Sequence, residues 1–109
     1  MDRHNISPGD IVSLADSGGN HIGIVLSINK DDCKLLLCTS NPYWNEFSRR
    51  LSSDERKYFS NIFFNKNKAT YFAPVKRSIR NVYNLGGSFS EHRVQALLNE
   101  FSEGFEIAC

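Results

Sequence analysis

The chain has 109 residues and nearly balanced charge, with 13 basic and 12 acidic side chains. This length favours a single domain over residues 1–109 that can bury a modest core without obligatory disulfides. No apolar run approaches the roughly 18 residues that a membrane span requires, and the first residues lack a signal-peptide apolar region, so a cytoplasmic protein without a membrane partner is expected.

The cysteines and histidines give no sign of a metal or a cofactor. There are three cysteines and three histidines. The cysteines are odd in number and lack Cys-x-x-Cys spacing, which argues against disulfide stapling and a zinc ribbon. The histidines are scattered and have no carboxylates at ligand spacing. We therefore expect neither a metal nor a cofactor.

Three consecutive strands are predicted in the first half of the chain. Ile11–Leu14 is a short apolar strand followed by a glycine-bearing loop. Ile22–Ile28 is an almost unbroken apolar run, which is typical of a strand buried on both faces, as in a small closed barrel. A turn at Asn29–Asp32 leads into Lys34–Cys38 as the third strand.

The middle of the chain predicts a loop and a short helix. Pro42–Leu51 is aromatic and basic and is expected to loop out of the sheet. Ser52 followed by Glu55 has the form of a capping box, which predicts a helix to about Phe59.

Further strand signals follow this helix. Ile62–Phe64 is a candidate strand and Asn65–Lys68 a candidate hairpin turn. Ala69–Val75 is a β-type run in which Pro74 restricts pairing to an edge or a strand end.

The last third predicts a break and then an amphipathic helix. Asn84–Gly87 is expected to be a break in the regular secondary structure. Ser90 is expected to cap a helix from Glu91 to about Phe101. Its apolar side chains follow helical spacing and are expected to pack on the barrel, with binding to a partner as the alternative: Val94, Leu97, Leu98 and Phe101. The tail from residue 102 to residue 109 is expected to fray or to dock at a dimer interface.

Charge is distributed unevenly despite the near-neutral total. Residues 49–80 contain nine basic and two acidic side chains, a net charge of +7, and the remainder carries −6. A basic segment of this kind suits a polyanion such as nucleic acid. Solvated loops and lysine-guarded strand edges produce the same composition, so charge alone leaves both interpretations open.

The ordered motifs resemble those of the MazF/PemK family of toxin endoribonucleases. The matching segments are Gly9–Val12, His21–Ser27, Cys38–Asn41, a strand at Tyr71–Val75, Ile79–Leu85, and the terminal helix after Phe89 and Ser90. Together they cover roughly residues 8–101. The sequence departs from the family at one position, because the arginine that usually opens the second strand is replaced by His21.

The resemblance implies a fold class and an activity. The expected fold is mainly β with α decoration, a small SH3-like barrel with a C-terminal helix. The expected protein is a homodimer that cleaves single-stranded RNA without metal, as the toxin of a type II toxin–antitoxin system. An acidic, disordered antitoxin tail would compete with RNA for the same groove.

His21 and Thr39 are the candidate catalytic residues. Cleavage by the RNA's own 2′-hydroxyl needs a base, an acid and donors to the phosphorane. His21 can exchange protons near neutral pH, although a polar residue that merely opens a strand is the simpler interpretation. Thr39 matches the family's threonine, and its alternative is a strand-ending turn.

Nine other residues are candidate substrate contacts. Tyr43 and Trp44 could stack on unpaired bases, or Trp44 could instead bury the loop against the sheet. The polar and basic candidates are Ser40, Asn41, Arg49, Arg50, Lys76, Arg77 and Arg80.

Two functions of other classes remain open on the sequence. One is a non-catalytic barrel that binds and blocks a host nucleic-acid enzyme, such as a phage- or plasmid-borne inhibitor. The other is a barrel that binds double-stranded DNA.

Overall fold

In the computed structural model, residues 5–16, 19–59 and 69–107 are described, and they form six strands and three short helices. The strands are β1 Asp10–Asp16, β2 Gly19–Asn29, β3 Asp32–Thr39, β4 Arg49–Arg50, β5 Tyr71–Ser78 and β6 Val82–Ser88. The helices are α1 Ser53–Lys57, α2 Glu91–Glu100 and α3 Ser102–Ile107, and a 3-10 turn, Ile79–Asn81, joins β5 to β6.

The strands form one antiparallel sheet in the order β4-β5-β3-β2-β1-β6. Strands β4 and β6 are its two edges, and no pairing joins them within the described residues, so the sheet is open. The closed barrel expected from the apolar run of β2 is therefore not formed by strand pairing. Strand β2 is buried on both sides because each face of the sheet carries its own core.

We call the side of the sheet that faces the helices the helix face. Its core joins residues of β1, β2, β3 and β5 to side chains from the helices and their flanks. In α2 the buried residues are Val94 and Leu97, Leu98 is half-buried, and Phe101 is buried at the end of the helix. The prediction that the α2 stripe packs on the strands is thus confirmed, but the strands form an open sheet and not the expected barrel.

We call the opposite side of the sheet the back face. Its buried residues alternate along the strands with those of the helix face, as in Leu35 and Leu37 beside Leu36. Ile6, Trp44 and Ile79 complete this second core. The central strand residues Val25 and Leu35 are 0% exposed there.

Both predicted helix caps are present. The Ser52 hydroxyl accepts from the Glu55 amide, and the Glu55 carboxylate accepts from the Ser52 amide, so the capping box begins α1 as expected. Ser90 caps α2 by accepting from the amide of Arg93.

Two expectations for the last third of the chain need correction. The predicted break at 84–87 does not end the strand, because β6 continues to Ser88. It does interrupt the pairing, since the register against β1 shifts between Asp10 and Val12 and the φ values of Gly86 and Gly87 are 82° and 80°. The tail does not fray before Ile107. It forms α3, in which Phe105 is 1% exposed and packs in the helix-face core.

Gly9 holds the start of the sheet against the start of α2. Its φ of 98° lies in the left-handed region that favours glycine. A Cβ atom there would lie 2.6 Å from the Phe89 carbonyl oxygen. The Gly9 amide donates to the Val25 carbonyl, and the Gly9 carbonyl accepts from the Phe89 amide. This residue therefore joins β2 to the α2 N-terminus.

Pro74 lies in β5 where a proline costs little. It pairs with Leu36 of β3, and β4 is too short to reach it on the other side, since Arg49 and Arg50 pair with Phe72 and Tyr71. The Pro74 carbonyl instead accepts from the Asn45 side chain at 3.3 Å. The expectation that this proline restricts the run to an edge strand or a strand end is therefore wrong as stated, because β5 lies between β4 and β3 and Pro74 is in its middle.

Several predicted features lie outside the described residues: the strand at 62–64, the turn at 65–68, and residues His4, Lys66, Lys68 and Cys109. The helices that the structure does describe are all too short to cross a membrane.

Candidate functional site

The strand register brings four polar side chains into one row across the back face. Arg50 of β4 pairs with Tyr71 of β5, which pairs with Thr39 of β3. Ile22 of β2 pairs with Cys38, and continuing that register by one residue puts His21 opposite Thr39. Directly opposed residues on antiparallel strands point to the same face. The row is therefore Arg50, Tyr71, Thr39, His21.

The spacing of the row follows from the sheet. Neighbouring strands lie about 4.8 Å apart, so His21 and Thr39 are immediate neighbours and Arg50 is about 14 Å from His21 at the backbone. His21 and Tyr71 are half-buried, and Arg50 is exposed. An extended ligand lying across the strands would meet each of the four side chains in turn.

His21 is held edge-on by Trp44. The two ring centroids are 5.5 Å apart with an interplanar angle of 70°, a favourable aromatic arrangement. Trp44 is half-buried against the back-face core, so it links His21 to that core. Tyr43 is 89% exposed. Of the two aromatic candidates, Tyr43 is the ring available for stacking.

The loop between β3 and β4 is ordered by its own hydrogen bonds. The Asn41 side-chain oxygen accepts from the Tyr43 amide at 2.9 Å, and its carbonyl accepts from the Trp44 amide. The Asn45 side chain accepts from the Phe47 amide in the same manner. Such side-chain turns fix loop conformation. Asn41 therefore orients Tyr43 and Trp44. Ser40, its neighbour in the chain, is exposed.

Thr39 is buried, with 7% exposure. Its hydroxyl oxygen accepts a hydrogen bond from the Asn41 amide at 3.1 Å. A hydroxyl that accepts one bond still has its own proton to donate. The Thr39 hydroxyl can thus both anchor the loop and donate to a ligand.

Arg49 and Arg50 are adjacent in sequence but lie on opposite faces. Arg49 pairs with Phe72 on the helix face. Its guanidinium donates to both carboxylate oxygens of Glu55, at 2.9 and 2.8 Å, and also to Glu100. It lies over the rings of Phe72 and Phe101, with centroid distances of 5.6 and 5.5 Å. Arg49 is fully engaged within the fold.

This ion-pair cluster shifts the pKa values of its members. Burial of Glu55 acts to raise its pKa, but hydrogen bonds from Arg49 and from the Ser52 amide outweigh it, and the net direction is down. The hydrogen bond to Glu55 is the largest influence on Arg49 and raises its pKa, so that this side chain stays charged.

Lys76, Arg77 and Arg80 lie away from the row. Lys76 and Arg77 are five and six residues along β5 from Tyr71, which is about 17–20 Å at the rise of a strand. Arg80 follows in the 3-10 turn and is exposed. The structure therefore divides the basic candidates among the row, the helix-face core and the far end of the sheet.

The cysteines of the sheet are poor nucleophiles. Cys33 and Cys38 are free and buried. Burial, with a smaller contribution from Asp32, raises the pKa of Cys33 to about 11. Burial also raises the pKa of Cys38, with a smaller effect from Glu55. Both thiols thus stay protonated near neutral pH.

No group of three or more His, Cys, Asp or Glu side chains is placed to hold a metal ion within the described part of the chain. Comparisons with protein-family models, with curated proteins and with solved structures each found no match.

Sequence reasoning missed Tyr71 as a site residue. It opens a predicted strand, and nothing in its local pattern marks it as functional. Its position follows only from the β3–β5 register, which sets it between Thr39 and Arg50. A tyrosine at a strand end, within a mostly apolar run, was the only signal available.

Proposed function

We propose that this chain is a MazF/PemK-like endoribonuclease that cleaves single-stranded RNA without metal, acting as a cytoplasmic toxin. The observation that carries the proposal is the row of Arg50, Tyr71, Thr39 and His21 on one face of the sheet. It combines an imidazole, two hydroxyls and a guanidinium. These are the components that phosphodiester transesterification requires.

Each member of the row has a role in the proposed reaction. Neutral His21 accepts the proton of the 2′-hydroxyl, and the resulting oxygen attacks the phosphorus. The bond to the 5′-oxygen breaks, leaving a 2′,3′-cyclic phosphate, and the leaving oxygen takes a proton from the Tyr71 phenol. Tyr71 is assigned this role because it is the row's other proton-exchanging group, whereas arginine keeps its proton. Thr39 donates to a phosphate oxygen.

Arg50 offers a reason why an arginine is dispensable at position 21. The guanidinium on β4 brings a permanent charge to the same row from the other side of Thr39. It can bind a phosphate in bidentate fashion. Exposed Tyr43 would stack on an unpaired base beside the row.

The same proposal includes an SH3-like barrel, a homodimer and an antitoxin partner. The mainly antiparallel β architecture and the C-terminal helices support the fold-class part of this proposal, although the sheet is open within the described residues. The acidic antitoxin tail would compete with RNA for Arg50 and for the exposed cations of the far end of the sheet.

A non-catalytic binding module is the second candidate, and one observation favours it. The Thr39 hydroxyl is buried and already serves the loop, and Arg50 lies about 14 Å from His21 at the backbone. A row so spaced can bind an extended polyanion without carrying out chemistry. A protein that blocks a host nucleic-acid enzyme would need only such binding.

Cleavage of a long unstructured RNA in EDTA tests the proposal. The wild type should cut it and release 2′,3′-cyclic phosphate ends. His21→Ala should lose about 10²–10⁴-fold in rate, the usual contribution of general acid–base catalysis.

Arg80→Gln is the matched control for Arg50→Gln. Both remove one exposed arginine, but Arg80 lies at the far end of the sheet. Arg50→Gln should reduce cleavage at least tenfold more than Arg80→Gln does. Undiminished cleavage in His21→Ala would refute the assignment of the base. Binding of RNA by the wild type with no cleavage would select the binding module.

A further inference from the structure

Two lysines lie side by side at the far end of the helix face. Lys34 of β3 pairs with Lys76 of β5, and Ser27 of β2 pairs with Lys34 from the other side. The three side chains thus form a second row, on the face opposite to that of His21. The Lys34 ammonium is 5.9 Å from the ring centroid of Phe105 in α3, which fixes the face on which it lies.

The charges of this pair are not neutralised by carboxylates. Three other cations on this side of the molecule have acidic partners: Arg49 has Glu55 and Glu100, and Lys57 and Arg93 share Asp54. Within the described residues, neither Lys34 nor Lys76 has a carboxylate within ion-pair distance. Like charges directly opposed across a sheet destabilise it. An anion between them would remove that cost.

A depression lies at this point. Its volume is about 180 Å³, and it is lined by Ser27, Asn29, Asp32, Cys33, Lys34 and Lys76. Asp32 is the single carboxylate of the lining, so the local charge from the lining side chains is positive. The donors are two ammonium groups, a hydroxyl and an amide. This set suits a tetrahedral oxyanion, which offers several acceptor oxygens.

We propose that Ser27, Lys34 and Lys76 form a binding site for a phosphate group. The site is distinct from the His21 row, because it lies on the other face and about 17 Å along the strands. The two ammonium groups contact separate phosphate oxygens, and the Ser27 hydroxyl donates to a third. The phosphate belongs either to a terminal monoester or to an internal phosphodiester of a nucleic acid.

Titration of the isotope-labelled protein with inorganic phosphate, followed by NMR, tests the site. The amides of Ser27, Lys34 and Lys76 should shift together and saturate. Lys34→Gln and Lys76→Gln should each weaken binding about tenfold, since each removes a charge-assisted hydrogen bond. Lys57→Gln, the control, removes an equal charge at an exposed position that pairs with Asp54, and it should change affinity less than about twofold.

A melting experiment gives an independent readout. Without phosphate, Lys76→Gln should melt at a higher temperature than the wild type, because it removes the like-charge contact and leaves the contact of Lys34 with Phe105 in place. Phosphate should raise the melting temperature of the wild type but not of Lys34→Gln. Equal weakening by Lys57→Gln would overturn the proposal, since general charge would then explain it. Absence of saturable shifts at the three amides would overturn it also.

Two further ligands distinguish the sources of the phosphate. The first is a nucleoside 5′-monophosphate, which carries a terminal monoester. The second is a dinucleotide that has an internal phosphodiester and no terminal phosphate. Tighter binding of the first identifies a terminal monoester as the ligand, and tighter binding of the second identifies a phosphodiester. All measurements can be repeated on His21→Ala. Retained phosphate binding there, with or without RNA cleavage by the wild type, separates this site from the proposed catalytic function.

Discussion

At the scale of single residues, strand alternation assigns opposite tasks to two neighbouring arginines. Arg49 turns to the helix face and joins Glu55 and Glu100, and Arg50 turns to the back face and joins the His21 row. A charge reversal of both would therefore combine a folding defect with a binding defect. Only separate substitutions can tell which arginine serves a ligand.

We expect Arg49→Gln to lower the free energy of unfolding by about 2–3 kcal/mol. Removing one partner of a fully buried pair costs about 3–5 kcal/mol, and the cost is smaller here because the Arg49 side chain is 33% exposed. Arg50→Gln should change it by less than about 0.5 kcal/mol, as is usual for an exposed side chain. Urea unfolding of both variants measures the difference in the free energy of unfolding. Equal losses in the two variants would contradict the assignment of Arg49 to the fold and of Arg50 to a ligand.

Thr39 is expected to contribute both to the loop and to catalysis. Thr39→Ala should reduce RNA cleavage by about 10²–10³-fold, the effect of one lost transition-state donor. Thr39→Ser keeps the hydroxyl and should retain most of the activity. Asn41→Ala is the control, because it disturbs the loop that rests on Thr39 while the hydroxyl remains. A loss in Asn41→Ala as large as that in Thr39→Ala would assign Thr39 a purely structural role.

At the scale of elements, the short helix α1 is stabilised by its cap and by its ion pair. Glu55 accepts from the Ser52 amide at 2.7 Å and from Arg49, and it is 7% exposed. One carboxylate thus closes the capping box and joins α1 to β4. A helix of five residues has little stability of its own in water, so these contacts hold it in place.

The lowered pKa of Glu55 predicts how stability depends on pH. A carboxyl group whose pKa is lower in the folded state contributes stability above its unfolded value, near 4.5. That contribution is lost as the pH falls below this value and through the folded pKa. Urea unfolding between pH 7 and pH 3 should therefore show the wild type losing more stability than Glu55→Gln over this acidic range. Parallel curves for the two proteins would contradict the contribution of Glu55.

At the scale of the whole molecule, the two faces of the sheet separate two groups of charged residues. The proposed catalytic row occupies one end of the back face, and the lysine pair occupies the other end of the helix face. Among the described basic residues of the segment 49–80, five are thus divided between three places. Arg49 lies in the helix-face core, Arg50 in the row, and Lys76, Arg77 and Arg80 at the far end of the sheet.

We expect the protein to be a dimer at tens of micromolar in solution, as the proposed family resemblance implies. A domain of this size gains stability by burying additional apolar surface, and Tyr83 and Leu85 of edge strand β6 are 45% and 46% exposed. Light scattering measures the mass directly. A monomer at that concentration would exclude a groove shared between two copies.

The sequence by itself determined the elements whose signals are local. The strands β1, β2 and β3, the capping box of α1 and the Ser90 cap of α2 follow from hydrophobic period and from side-chain bonds spanning a few residues. His21 and Thr39 were predicted as catalytic candidates because the segments around them resemble those of the MazF/PemK family. Their proximity follows from the β2–β3 hairpin, which is itself a short-range feature.

Only the tertiary structure decided the rest, because it depends on pairing between distant segments. The β3–β5 and β4–β5 registers bring Tyr71 and Arg50 into the row, and the same registers remove Lys76 and Arg77 from it. Arg49 was predicted as a ligand contact, yet its acidic partner Glu100 is 51 residues away in the chain. The tail became α3 because Phe105 finds a core that no local pattern describes.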